Sequence, residues 1–143
     1  MRPFFKKCGR NFQIASGVTL NVSRNMEIGD DVYIAHNCWI NASGGLTIGN
    51  GVIISPMVVI ATTKHMYQNG RISEKSENAP IKIGDYSWIS SNSVITCGTT
   101  IGTGCIVAAC SSVVKDVGDF WLVGGVPAKP IHKLYTNETL ISE

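Results

Sequence analysis

The sequence predicts an all-β chain wound into a triangular column of about five stacked coils, and three observations carry that prediction. An aliphatic residue recurs every six positions, at Ile28, Ile34 and Ile40, at Ile48, Ile54 and Ile60, and at Ile83, Ile89, Ile95, Ile101, Val107 and Val113. The fifth residue of each hexad is small or β-branched: Val18, Val32, Cys38, Val52, Val58, Ser87, Ser93, Thr99, Cys105 and Ser111. Turn formers stand between them, as in IGDDV, IGNGV, IGDYS and IGTGC. A step of six fits neither the period of a helix nor the alternation of a half-buried strand, so each hexad reads as a short strand and a bend.

The elements follow in order. Ile14 and Leu20 keep the six-residue step and open the column. Three hexads close one coil, and the Ile-Gly markers at 28, 48, 83 and 101 are separated by 20, 35 and 18 residues. Extra corner residues in INASGGLT account for the first separation, as those in LNVSRNME do one coil earlier. The second separation requires one long excursion loop, over about residues 61 to 82, leaving after Ile60 and returning at Ile83. It carries Lys64, Arg71, Glu74, Lys75 and Glu77, between two stretches, 32–63 and 86–114, that lack Asp, Glu, Lys and Arg altogether. A short tail segment follows the last coil. With strands about 4.8 Å apart the column is about 24 Å tall.

The 143 residues read as one domain, 1–143, with a formal net charge of +2. Arg2, Lys6, Lys7 and Arg10 form the one basic cluster and read as a solvated terminus, since no nucleic-acid-binding pattern accompanies them. MRPFFKKCGRNF lacks the apolar core of a secretory signal, and no apolar run is long enough for a membrane span. The expectation is a soluble, cytoplasmic protein without integral membrane association. Five cysteines in no CxxC pair argue against a disulfide framework and against a zinc site; Cys38 and Cys105, at fifth positions, read as small core residues.

The ordered set APIKIGDYSWISSNSVITCGTTIG, SSVVKDV and GGVPAKPI resembles the hexapeptide-repeat acyltransferases, over about residues 14 to 134. Within them it is most similar to the maltose and galactoside O-acetyltransferases and the O-acetyltransferases of surface-polysaccharide pathways. The resemblance implies a left-handed parallel β-helix and a homotrimer with active sites between neighbouring prisms. It implies acetyl transfer from acetyl-CoA to a saccharide hydroxyl, with the excursion loop reaching toward the adjacent subunit.

By the same resemblance His65, in ATTKHM at the leading edge of the loop, is the catalytic base. The chemistry agrees, because a sugar hydroxyl needs a base to take its proton and an imidazole titrates near neutrality. Asn37 and, below it in rank, His36 are the implied acceptor contacts; Ala35 stands where the family often has a further Asn. Trp88 is either a wall of the site or an aromatic covered by the trimer contact. A backbone N–H at Ser90 or Ser91, after the Trp-Ile pair, is the implied oxyanion donor. For CoA, Ala109 and Ser111 are implied backbone contacts, with Lys115, Lys129 and Lys133 facing its phosphates. Val114 replaces a common Thr there.

Four alternatives remain open at this stage. One is N-acetylation of an amino sugar, or acetylation of a streptogramin antibiotic. Another is a covalent route through Cys97 or Cys110. Outside acyl transfer stand a non-catalytic β-helix and a zinc-dependent hydration of carbon dioxide. For the last, His36, His65 and His132 are the only histidines and have no ligand-like spacing, so no metal is expected.

Overall fold

The computed structural model describes residues 4–136, so Arg2 of the basic cluster lies outside the described residues. Five complete coils are present. The first is β1 (Lys7–Cys8), β2 (Gln13–Ile14) and β3 (Thr19–Asn21); the second is β4 (Met26–Ile28), β5 (Tyr33–Ile34) and β6 (Trp39–Asn41); the third is β7 (Leu46–Ile48), β8 (Ile53–Ile54) and β9 (Val59–Ala61). After an excursion formed by β10 (Thr63–Gln68) and β11 (Arg71–Asn78), the fourth coil is β12 (Ile81–Ile83), β13 (Trp88–Ile89) and β14 (Val94–Ile95). The fifth is β15 (Thr100–Ile101), β16 (Ile106–Val107) and β17 (Ser112–Val113). A partial sixth begins with a parallel bridge from Val117 to Ile101 and continues into β18 (Trp121–Gly125), on which β19 (Ala128–Lys133) folds back antiparallel.

Three parallel sheets make the faces of the prism. Face 1 stacks β1, β4, β7, β12 and β15; face 2 stacks β2, β5, β8, β13, β16 and β18; face 3 stacks β3, β6, β9, β14 and β17. The predicted aliphatic positions meet in register along the axis, Ile28 with Ile48, Ile83 and Ile101 on face 1, and Ile40 with Ile60, Ile95 and Val113 on face 3. None of these is more than 2 % exposed. Each such side chain contributes about 1.5–3 kcal/mol by leaving water, which is why one aliphatic residue per hexad suffices.

The fifth positions pack beside the ladders at the corners, where a polar atom can reach the next coil. Ser87 Oγ donates to the Gly102 carbonyl at 2.8 Å and accepts from the Cys105 N–H at 3.0 Å, and Ser93 Oγ donates to the Ala108 carbonyl at 3.0 Å. Cys38 and Cys105 are buried as expected, with Sγ toward the carbonyls of Ser55 and Gly118. Burial pushes the Cys38 thiol pKa up.

The Gly-Asx motif has a cause that the turn reading alone misses. At the corner between faces 1 and 2, each Asx oxygen caps a backbone N–H of the coil before it: Asp30 on Arg10 at 2.7 Å, Asn50 on Asp30 at 2.8 Å, Asp85 on Asn50 at 2.8 Å. The preceding glycine lets the coils approach: a Cβ on Gly49 would stand 2.3 Å from Asp85 Oδ1 and 2.7 Å from its backbone nitrogen. The Arg10 N–H, then its guanidinium, holds the Asp30 carboxyl below its ordinary pKa. The contact is therefore complete above the ordinary carboxylate range and is lost as pH falls through the lowered value.

Three details differ from the sequence expectation. The column begins a strand earlier than Ile14, because Cys8 takes the axial place opposite Ile28 and breaks the aliphatic pattern. Ile14 itself is 38 % exposed, since no coil covers that end. The excursion is a β-hairpin over Thr63–Asn78, because Asn69 and Gly70 both take positive φ, 52° and 76°, as a two-residue hairpin turn requires. Among the described residues no helix is long and apolar enough to cross a membrane.

Candidate active site

The hairpin leaves face 3 after β9 and rejoins face 1 at β12, so it stands on the corner between those faces. Its base is braced: Thr63 Oγ1 donates to Asn78 Oδ1 at 2.6 Å, and Lys64 Nζ lies 3.0 Å from Glu77. The Glu77 carboxylate, by hydrogen bond and then by charge, raises the Lys64 pKa, which keeps the pair ionised. Cys97, from the coil beyond, points Sγ at the Thr62 carbonyl at 3.3 Å. On this base β10 and β11 pair through His65 and Ser76, after which the register slips at Met66. A bulge at that point re-aims the strand. The His65 side chain is exposed and its ring has no hydrogen-bond partner among the described residues, so the ring is available to a substrate. Further out, Tyr67 and Ile72 form an exposed apolar cross-strand pair. Gln68, Asn69, Arg71, Ser73 and Glu74 border a cavity of about 540 Å³.

The second group lies on another corner, between faces 2 and 3. His36 Nδ1 sits 3.1 Å from Ser16 Oγ. Asn37 has φ 60°, in a column of left-handed corner residues with Gly17, Met57, Asn92 and Cys110. Asn tolerates that conformation better than most residues, which gives Asn37 a backbone reason for its identity beside any contact with substrate.

The two oxyanion candidates separate. The Ser90 N–H donates to the Val107 carbonyl at 3.0 Å within the coil ladder, whereas the Ser91 N–H has no partner among the described residues. On adjacent face 2, Trp88 is 46 % exposed and its Nε1 donates to Ser55 Oγ at 2.8 Å, a hydroxyl that the sequence reading did not single out. Trp88 stacks in register between Ile53 and Ile106.

The cofactor candidates gather at the carboxyl-terminal end. A groove of about 470 Å³ has apolar walls from Val117, Trp121, Pro127 and Pro130, with Lys115 and Lys129 on its border. Lys133 is engaged within the fold: Nζ donates to the Asp119 carbonyl at 2.8 Å and lies 5.3 Å over the Trp121 ring. Ser111 is buried, its N–H toward Ser93 Oγ and its Oγ accepting from Gly125, while Ala109 is exposed at the corner. His132 lies in β19, and among the described residues no cluster of His, Cys, Asp or Glu could hold a metal ion.

Within one chain, then, face 3 separates His65 from His36, Asn37 and Ser91. Counting hexads round the coil would have revealed this, because residue 37 ends a face 2 strand's corner and residue 62 a face 3 strand's corner.

The profile of the family described as bacterial transferase hexapeptide (six repeats) matches residues 80–115. The galactoside O-acetyltransferase of Escherichia coli is 31 % identical over 135 residues, covering 94 % of this chain and 66 % of that protein. A putative acetyltransferase of Saccharomyces cerevisiae is 33 % identical, covering 94 % of this chain and 69 % of that protein. The chain thus spans about two thirds of the length of these curated relatives. Among solved structures, a hexapeptide-repeat acetyltransferase of Vibrio cholerae complexed with acetyl coenzyme A superimposes with a TM-score of 0.88 at 31 % identity, covering 94 % of this chain and 74 % of that one. Fold and sequence agree, and the chain belongs to the hexapeptide-repeat acetyltransferases.

Proposed function

We propose that this chain transfers an acetyl group from acetyl-CoA to a saccharide hydroxyl, at a site completed by a second copy of itself. The observation that carries the reading is His65: a histidine without an internal partner, held on a braced hairpin that projects from the column. In the proposed step the acceptor O–H gives its proton to the His65 imidazole as its oxygen attacks the thioester carbon. The tetrahedral oxyanion is met by the Ser91 N–H, and collapse breaks the carbon–sulfur bond, with the proton passing from His65 to the departing thiolate. The polar residues of the hairpin cavity suit a hydroxyl-rich acceptor. Galactoside acetylation by the Escherichia coli relative supports that substrate class.

The outward residues supply the argument for self-association. Face 2 presents Tyr33, Ile53, Trp88 and Ile106 in one column, and face 3 presents Trp39, Val59 and Val94; face 1 presents Lys7, Glu27, Thr47 and Lys82. Two apolar faces meeting at one edge favour a closed ring in which face 2 of one copy meets face 3 of the next. We assign a trimer, with the polar face outside and the His65 hairpin of one copy reaching the Asn37 corner of its neighbour. Five unpaired cysteines fit a cytoplasmic setting.

Release of free CoA thiol from acetyl-CoA, measured against galactosides, maltose and amino sugars, tests the reading. Acceptor-dependent release with the sugars supports it; release with no acceptor, despite acetyl-CoA binding, rejects it. The groove at the carboxyl-terminal end makes a second prediction. Exchanging both Lys115 and Lys129 for alanine raises the KM for acetyl-CoA about tenfold and leaves kcat near wild type, as loss of uniform binding should. Asn37 separates its two roles by substitution. Asn37→Gly keeps the left-handed backbone and removes the carboxamide; a roughly tenfold higher acceptor KM marks a lost hydrogen bond, and wild-type kinetics would mean that only φ matters.

A further inference from the structure

We propose that Ser55 is a further catalytic donor, its hydroxyl directed by the Trp88 indole toward the oxyanion that the Ser91 N–H meets. The inference deepens the acetyl-transfer reading and rests on it.

The residues that follow the first five strands of face 2 stack in register as Ala15, Ala35, Ser55, Ser90 and Ala108. Each gives its N–H to a carbonyl of the next coil, Ser55 to Ile89 at 2.9 Å and Ser90 to Val107 at 3.0 Å. Three of these five coils place alanine here, so the ladder has no need of a hydroxyl. Ser55 nevertheless carries one that is held. It is half-buried, and its Oγ accepts the Trp88 Nε1–H at 2.8 Å and makes no other hydrogen bond among the described residues.

That single bond decides what the hydroxyl can do. A serine hydroxyl has one proton and two lone pairs, whereas an indole nitrogen can only donate. The indole therefore occupies a lone pair and leaves the Ser55 proton to be given elsewhere.

The location matches a use for it. Ser55 lies in the third coil, between the coil of Asn37 and the coil of Ser91. Its neighbour Pro56 accepts the Asn92 N–H at 3.2 Å, so the turns of Ser55 and Ser91 are one strand spacing apart, about 4.8 Å. The corner thus presents two donors without a partner, a hydroxyl and an amide. An oxyanion is best met by more than one fixed donor, each contributing most where charge develops. Ser55 keeps its proton throughout: its hydrogen bond strengthens as the acceptor oxygen adds to the thioester carbon and relaxes when the carbon–sulfur bond breaks. Trp88 acts through Ser55 as a positioning residue.

The test is thiol release from acetyl-CoA, with galactosides, maltose and amino sugars, by wild type, Ser55→Ala, Trp88→Phe and the double variant. Ser55→Ala is expected to lower kcat about a hundredfold and to leave both KM values within about twofold, the pattern of a donor engaged in the transition state. Its melting temperature stays near wild type, since alanine already fills the same place in other coils. Trp88→Phe removes the indole N–H, lowers kcat about tenfold and costs nothing further once Ser55 is alanine. A wall of the site or a subunit contact would show no such coupling. Wild-type kcat in Ser55→Ala overturns the proposal alone, as does an effect confined to the acceptor KM, or full additivity of the two substitutions. Absence of thiol release by wild type with every acceptor overturns the transferase reading, and this inference with it.

Discussion

Replacing His65 with alanine is expected to lower acceptor-dependent acetyl transfer by about a thousandfold, the scale on which a positioned general base acts. The loss falls on kcat more than on the KM for acetyl-CoA, since no residue of the hairpin lines the groove bordered by Lys115 and Lys129. Melting temperature stays near wild type, because the exposed ring makes no hydrogen bond among the described residues. Placing His65 and Asn37 on different corners adds a sharper outcome. If His65→Ala and a substitution at the Asn37 corner first shown to be inactive by itself are unfolded together and reassembled at equal ratio, every mixed trimer of the proposed kind contains one site with both corners intact. Random assembly then restores about a quarter of wild-type activity from two inactive proteins. No recovery in trimers shown to be mixed would mean that each site lies within one chain, and wild-type activity of His65→Ala alone would remove the base assignment.

The second large effect is on stability. Gly84→Ala is expected to cost about 3 kcal/mol and to lower the melting temperature by roughly 10 °C. An added Cβ would lie 2.5 Å from the Gly102 carbonyl carbon, 2.6 Å from its oxygen and 2.6 Å from the Thr103 nitrogen. All three are backbone atoms of the corner turn after β15, so no side chain can turn aside to make room. The coils would have to part at this corner, weakening the Gly84 N–H bond to the Ile101 carbonyl, now 2.8 Å. Gly70→Ala is the contrast. Nothing lies within 4 Å of its added Cβ, and only the positive φ of an exposed turn is strained. Thermal melting of the two variants decides the matter, and equal melting of Gly84→Ala and wild type would refute the close approach.

The axis of the column was readable in the sequence because one geometric demand, an inward side chain once per hexad, repeats with few substitutions. Cys8 escaped because a thiol does not look like a ladder residue. The hairpin escaped because a long insertion without a period reads as loop, although Gln-Asn-Gly-Arg names its turn. The fifth-position serines were recognised as small, but their role as coil-to-coil hydrogen-bond bridges depends on an atom reaching a carbonyl 15 residues away in the chain. Of the candidate site, residue types were legible and their distribution over the corners was not used. Ser90 and Ser91 look equivalent in sequence; only the ladder tells which amide is already engaged. Lys133 looked like Lys129 until Trp121 and the Asp119 carbonyl claimed its ammonium.

Face 1 continues across the excursion as though nothing had been inserted: Leu46, Thr47 and Ile48 pair with Ile81, Lys82 and Ile83 in the same register in which Met26, Glu27 and Ile28 pair with them from the other side. The column therefore places no demand on the length or composition of what lies between residues 61 and 81, beyond a short closure at its base. On the proposed function, in which the hairpin helps to choose the acceptor, it can drift, lengthen or be exchanged as a cassette while the scaffold stays unchanged. A fold of this kind can change acceptors without first having to survive a loss of stability.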